Sequence, residues 1–269
     1  MKPTSDPDLN AILQDLVTSV QTILGPNFVG AYLQGSFALG EWDSHSDVDF
    51  LVVIDHPLSD AELAALQEMH GRIYDRPSPW AQHLEGSYFP RDLLKQEDHA
   101  RTPLYYLDNG SRELILSNHD NELVVRWVTR EYGLTLAGPD ADSLVATVPA
   151  KDLRQEVLTT MHTWGREILA GEYPIDNRWA QPFAVLSYCR MLHTLHTARI
   201  TSKLAAARWA QATLDSRWVD LIQRAWDDRP DPSVKVRQPA DPKEVERTLA
   251  FIEYAISHTA GKHNSQGRR

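Results

Sequence analysis

Cysteine occurs once in the 269 residues, at Cys189, so no disulfide can form within the chain and a cytoplasmic setting is open to it. Positive charge is also scarce. Lys and Arg number 27 against 37 Asp and Glu, a net charge of −10 with His neutral. Phosphate backbones are gripped by clustered Lys and Arg, so this balance argues against a nucleic-acid partner. An acidic surface suits a cationic ligand instead. No stretch approaches the ~20 apolar residues of a membrane span, and the opening segment MKPTSDPDLN is polar, without the apolar core of a leader. Internal repeats and low-complexity segments are missing as well. These absences predict a cytoplasmic protein without nucleic-acid or membrane partners, expected to be a monomer.

What is present is the composition of a globular chain: 42% hydrophobic and 24% charged residues, enough for a real core in one large or two ordinary domains. Leu9, Ile12, Leu13, Leu16, Val17, Val20 and Leu24 recur at helical spacing, which predicts a helix over 7–24 stopped by Gly25-Pro26. A second helix follows Ser59-Asp60, with one of the two as N-cap, and the chain then breaks at Pro77 and Pro79. Residues 81–89 alternate His83, Glu85 and Ser87 with Leu84, Gly86 and Tyr88, the period of a strand. Short apolar runs at 104–107 and 113–117 flank Asn109-Gly110, a two-residue hairpin signal. A helix is predicted from Asn118 to a stop at Gly133, and the stretch from Gly138 to Pro149 is expected to be a hinge. Beyond it five helices are predicted, over 152–170, 180–200, 202–213, 215–228 (ended by Pro230 and Pro232) and 241–259, with Ser202 and Pro242 at helix starts. Five helices with short connections make a bundle. The tail GKHNSQGRR is polar, basic and expected to be disordered. The predicted fold is α+β: a mixed sheet with helices over 1–149, a helical bundle over 150–260, and a tail over 261–269.

Residues 30–54, GAYLQGSFALGEWDSHSDVDFLVVI, organise the first domain. The stretch predicts a strand, a tight turn at Gly35-Ser36, a short helix, and a second, β-branched strand. Asp47 and Asp49 stand at the entry to that strand. Two residues apart on a strand, their side chains share a face at roughly 6–7 Å. Carboxylates held so close repel unless a cation lies between them, and paired carboxylates with substrate phosphates suit Mg²⁺. Gly35 lets backbone approach a phosphate, and Ser36 adds a hydroxyl and an N–H.

The pattern G-S, ten residues, then D-x-D before an apolar strand, with Gly40 in the gap and Ser46 before the first Asp, resembles the nucleotidyltransferase superfamily that includes DNA polymerase beta. The segment AVLSYCRMLHTLHTARITSK, residues 184–203, resembles the helical domain of bacterial aminoglycoside adenylyltransferases of the streptomycin/spectinomycin kind. The resemblance implies a two-domain enzyme that moves AMP from ATP to a hydroxyl of a small cationic acceptor. Ser36 and Ser46 would contact the triphosphate, and Asp47 and Asp49 would bind Mg²⁺. Glu85 would be the base, on a strand beside the D-x-D strand. Asp75 competes for that role, but it falls in a pre-proline turn. Arg190 and Lys203 would reach phosphate oxygens, and Trp226 stands where the family has an aromatic near the nucleotide. Independently, an acidic protein that holds ATP needs local cations, and a guanidinium grips phosphate bidentately.

At the acceptor end the pattern departs from members that use streptomycin. They carry a tryptophan near Ser117-Asn118-His119 and an acid near Trp179-Ala180-Gln181, whereas Asp176 matches a family acid. His119 and Asp176 are therefore the expected acceptor-binding positions, in a cleft that the two domains are expected to complete together. Protein AMPylation and a non-catalytic nucleotide-binding module stay open as other readings of the superfamily pattern. His193 and His196 lie three apart on a helix but lack a third ligand, so a packed pair is expected. Cys189, Trp164, Trp209 and Trp218 are expected in the core, and Trp42 is expected to shape the phosphate loop.

Overall fold

The computed structural model describes residues 3–44, 46–95, 100–229 and 238–266. The chain divides into two units between Val148 and Pro149. Among the described residues no helix is long and apolar enough to cross a membrane.

The first unit is a six-stranded mixed sheet. Its strands are β1 (Phe28–Leu33), β2 (Val48–Ile54), β3 (Leu84–Pro90), β4 (Leu104–Leu107), β5 (Leu114–Ser117) and β6 (Leu134–Ala137), in the order β5-β4-β3-β2-β1-β6. Only β2 and β3 run parallel; the other neighbours are antiparallel. Helix α1 (Pro7–Leu24) opens on Asp6, whose carboxylate accepts from the N–H of Asp8 and Leu9, and it stops at Gly25, at φ 48°. Its seven spaced apolar residues are all buried. They share one core with Phe50, Val52 and Ile54 of β2 and with Leu66, Met69 and Ile73 of α3 (Asp60–Tyr74). Ser59 and Glu62 close a capping box at the start of α3, where each side chain satisfies the other residue's N–H.

Residues of the other parity on the strands, Leu51, Val53, Phe89 and Leu104, form a smaller core with Tyr32, Leu94, Ala141 and Val145. That core draws on α4 (Arg91–Leu94) and α6 (Ala141–Leu144). Asp47, Asp49 and Glu85 have this second parity. The alternation that buries Phe50 against α1 therefore turns the carboxylates to the opposite face.

Four features of this unit differ from the sequence expectation. Residues 79–82 form a 3-10 turn, so β3 begins at Leu84 and not at 81. The β4–β5 connection spans residues 108–113 with Gly110 at φ 75°, longer than a two-residue turn. Helix α5 (Leu123–Tyr132) starts five residues after Asn118. The cause is local: Asp120 accepts from Ser87, while Asn121 donates to the Thr102 carbonyl and accepts from Arg126. Side chains committed to tertiary partners hold that backbone out of the helix. Finally, the expected hinge is partly structure. Strand β6 pairs with β1 directly before Gly138, and α6 follows.

The second unit consists of α7 (Ala150–Leu169), α8 (Ala180–Thr197), α9 (Lys203–Thr213), α10 (Val219–Asp227) and α11 (Pro242–Gln266). Helix α8 is the hub, with Ala184, Val185, Leu186, Tyr188, Cys189 and Leu192 all buried. Gly165 of α7 is small for a reason: a Cβ there would lie 2.5 Å from the Tyr188 hydroxyl and 2.6 Å from Ile256. Ser202 caps α9 by accepting from the Ala205 N–H. His193 and His196 pack on the ring of Trp209, at 5.4 and 5.6 Å between centroids. Helix α8 ends at Thr197, with Ala198 in the left-handed region, short of the expected residue 200. Helix α11 continues through 261–266, where a disordered tail is expected from the sequence. Pro230, Pro232 and residues 267–269 lie outside the described residues.

Candidate active site

Strand β1 ends where the Gln34 N–H donates to the carbonyl of Asp49, at 2.9 Å. That bond places the next residue, Gly35, against the Asp49 side chain. A Cβ on Gly35 would sit 1.8 Å from Asp49 Oδ2, and its φ of 59° is left-handed. Both facts require glycine. The chain then makes one helical turn, α2 (Gly35–Ala38), in which the Ser36 hydroxyl is buried without a hydrogen-bond partner among the described residues. A buried hydroxyl left unpaired in a well-packed loop is costly unless a ligand completes it.

The loop after α2 is held by an aromatic cluster. Trp42 stacks on Phe37 with centroids 5.0 Å apart and meets Trp80 edge-on at 5.9 Å. The Trp80 indole N–H in turn donates to Asp6, at the start of α1. Trp42, expected to shape this loop, packs it against Phe37 and Trp80. Ser46, expected to contact the triphosphate, has a local partner. Its hydroxyl accepts from the Asp43 N–H at 3.0 Å and lies 3.3 Å from the Asp43 carboxylate. It closes the turn that feeds Asp47 into β2.

Asp49 and Glu85 are direct neighbours in the parallel β2–β3 register. Asp47 joins them, and one carboxylate oxygen from each of the three residues lies within 4.8 Å of the others. Three convergent carboxylates match the donor set of a hard divalent cation. The Glu85 side chain is only 16% exposed. Burial first, and the negative charges of Asp47 and Asp49 next, push its carboxyl well above the usual carboxylate range. A cation among the three would reverse that balance. Asp75, the competitor for the role of base, caps the end of α3 and pairs with Arg112 on the surface at 2.6 Å.

The residues behind Glu85 escaped the sequence analysis. The Tyr106 hydroxyl of β4 donates to Glu85 Oε1 at 2.5 Å and lies 3.3 Å from Asp108. Burial, then the charge of Glu85, raises the Tyr106 phenol far above its ordinary value. Buried Asp120 accepts from the Ser87 hydroxyl at 2.7 Å, and burial lifts its carboxyl too. His119, expected at the acceptor, is 63% exposed, with Nε2 3.7 Å from Glu85 Oε1 and its ring 5.1 Å from that of Tyr106. Strand parity could have marked Tyr106, but only with the β3–β4 register known.

The remaining expected residues lie in the second unit, on separate elements. Arg190 is half-buried in the middle of α8, and Lys203 is half-buried as the first residue of α9. Trp226, near the end of α10, carries the Arg229 guanidinium 4.0 Å above its ring. Asp176 is exposed just before α8, and its carbonyl accepts from the Ala240 N–H at 2.8 Å. The next residue, Asn177, accepts from the N–H groups of Trp179 and Ala180 and so fixes the entry to α8.

Comparison with known proteins finds a matching domain model in each half of the chain. Residues 13–102 match the model described as nucleotidyltransferase domain, and residues 143–254 the model described as aminoglycoside adenylyltransferase, C-terminal domain. A spectinomycin 9-adenylyltransferase of Staphylococcus aureus is 27% identical over 226 residues, covering 77% of this chain and 79% of the relative. An aminoglycoside (3'') (9) adenylyltransferase of Shigella flexneri is 22% identical over 266 residues, covering 95% and 97%. The crystal structure of an enterococcal spectinomycin adenyltransferase with ATP and spectinomycin shares the fold. Its TM-score is 0.70 at 16% identity, over 92% of this chain and 98% of that one.

Proposed function

We propose that this chain, whose units belong to the nucleotidyltransferase-domain and aminoglycoside adenylyltransferase C-terminal-domain families, transfers AMP from ATP to a hydroxyl of a small cationic aminocyclitol. The observation that carries the proposal is the convergence of Asp47, Asp49 and Glu85 beside the Gly35-Ser36 turn. The similarity to spectinomycin 9-adenylyltransferases supports the choice of acceptor class.

Asp47 and Asp49 would hold Mg²⁺, which when bound offsets negative charge on the triphosphate. Gly35 lets the Asp49 carboxylate pack against the turn, and the unpaired Ser36 hydroxyl donates to a phosphate oxygen. Arg190 and Lys203 add positive charge toward the same nucleotide, and Trp226 offers a flat surface to the base. Glu85 takes the proton of the acceptor hydroxyl. The acceptor oxygen bonds to the α-phosphorus as the bond from that phosphorus to the bridging oxygen breaks. Pyrophosphate leaves with the electron pair.

Asp176 and His119 bind the acceptor. Asp176 is an exposed carboxylate suited to an ammonium group, while His119 stands beside Glu85. With histidine at 119 and alanine at 180, streptomycin loses more contacts than the smaller spectinomycin. The proposal takes the chain as a cytoplasmic monomer without a nucleic-acid partner, on the strength of its single cysteine and its charge of −10.

The test is a panel of aminoglycosides and aminocyclitols incubated with ATP and Mg²⁺ and analysed by mass spectrometry. Addition of AMP to spectinomycin-like acceptors, with weaker modification of streptomycin, is the expected result. No adduct on any member overturns the activity. Robust streptomycin modification overturns the acceptor assignment alone.

A further inference from the structure

We infer that Tyr106 is a positioning residue for the transfer reaction, holding the Glu85 carboxylate in the orientation that accepts the acceptor's proton. The inference rests on the reading of Glu85 as the base. Its grounds are geometric. Glu85 stands on a strand next to Asp49, with Asp47 close by. Like charges at this range drive a flexible carboxylate away, and a glutamate has rotamers to move into. Something must hold it.

The Tyr106 hydroxyl has one proton to give. Glu85 Oε1 is 2.5 Å away and Asp108 Oδ1 3.3 Å, so the proton goes to Glu85. The tyrosine is itself fixed. Its backbone lies in β4, paired opposite Ser87, and its ring rests on that of His119 at 5.1 Å. Ser87 is tied to buried Asp120. A rigid donor on the neighbouring strand thus reaches past Ser87 to the glutamate. The described contact of His119 also falls on Oε1, at 3.7 Å. Both contacts engage the same oxygen and leave Oε2 to the acceptor hydroxyl. A donor placed in this way fixes which oxygen works and at what angle, a small displacement of which is expensive in rate.

The test compares Tyr106→Phe, Glu85→Gln and the double variant in the full chain. Tyr106→Phe keeps the ring and removes the hydroxyl. It should lower kcat about 10- to 100-fold, the worth of a hydrogen bond to a charged group, with KM for ATP and acceptor within about twofold. In the Glu85→Gln background the same change should have almost no further effect. A merely structural role would lower the melting temperature and affect both backgrounds alike. A readout independent of turnover is the ring-carbon resonance of Tyr106 in protein labelled with ¹³C-tyrosine, assigned by its loss in Tyr106→Phe. It should move in Glu85→Gln. Unchanged kcat in Tyr106→Phe, equal losses in both backgrounds, or a resonance that stays in place in Glu85→Gln would each overturn the inference. A wild-type enzyme that modifies no acceptor counts against the proposed activity instead, and the resonance then still decides whether the contact exists.

Discussion

Among the described residues, fully buried acidic, basic and imidazole side chains are found in the first unit and not in the second. The interior of the first unit includes His70, His83, Asp120 and Arg126, and the triad Asp47, Asp49 and Glu85 is half-buried. Among the described residues of the second unit, the buried polar side chains are Gln181, Thr194, Ser202, Thr248 and Thr259, all uncharged. Its core is aromatic and aliphatic, with Trp164 stacked on Tyr188 and Trp218 against Phe251. Buried ionisable groups are costly, and proteins keep them where chemistry needs them. Under the proposed function, the difference goes with bond-making in the sheet unit, and the helical unit supplies exposed or half-exposed groups for binding: Arg190, Lys203, Trp226 and Asp176.

The sharpest way to break this contrast is to neutralise the triad. Asp47→Asn or Asp49→Asn should reduce transfer to background, because an amide no longer balances a divalent ion. Excess Mg²⁺ should not restore it. A variant with full activity, measured by pyrophosphate release, would remove the metal from the first unit.

Charges of the second unit should act on binding. Arg190→Ala or Lys203→Ala should raise the KM for ATP about 10- to 100-fold, the range for lost hydrogen bonds to charged groups. Asp176→Asn should raise only the acceptor KM, by several-fold. Steady-state kinetics with each substrate varied in turn separate the two. A fall in kcat at saturating substrates in these variants would place bond-making in both units.

The smallest effect compares two left-handed glycines. Gly171 follows α7 at φ 78° with nothing within 4 Å of an added Cβ, whereas a Cβ on Gly35 would strike Asp49. Gly171→Ala should cost only about 1 kcal/mol of stability and leave activity intact. Gly35→Ala should cost more, up to about 3 kcal/mol, and abolish transfer by displacing Asp49. Denaturant titration with an activity assay checks both. Equal behaviour of the two would show that the fit of Gly35 against Asp49 does not matter.

The same contrast explains what could be read from the sequence. Helices α1 and α9 were legible because their signals are local: the single apolar period of α1 stopped at Gly25-Pro26, and the Ser202 cap of α9. Asp47 and Asp49 were legible because the spacing G-S to D-x-D is itself local. Errors gathered where polar side chains answer to distant partners. The start of α5 shifted because Asp120 and Asn121 bond to Ser87 and Thr102, far off in the chain. Strand β6 escaped because four residues, half of them exposed, give too little alternation to stand out. Tyr106 escaped because its place beside Glu85 comes from the β3–β4 register, which no local pattern encodes.

The account rests most heavily on the division of labour between Glu85 and the two aspartates. Calorimetry of ATP binding to Glu85→Gln in Mg²⁺, paired with its single-turnover rate on spectinomycin, tests it directly. ATP affinity within a few-fold of wild type and a rate lower by roughly 10²–10⁴, the usual range for a lost general base, is the predicted result. Lost ATP binding with substantial residual turnover would make Glu85 a metal ligand or structural acid and contradict the account.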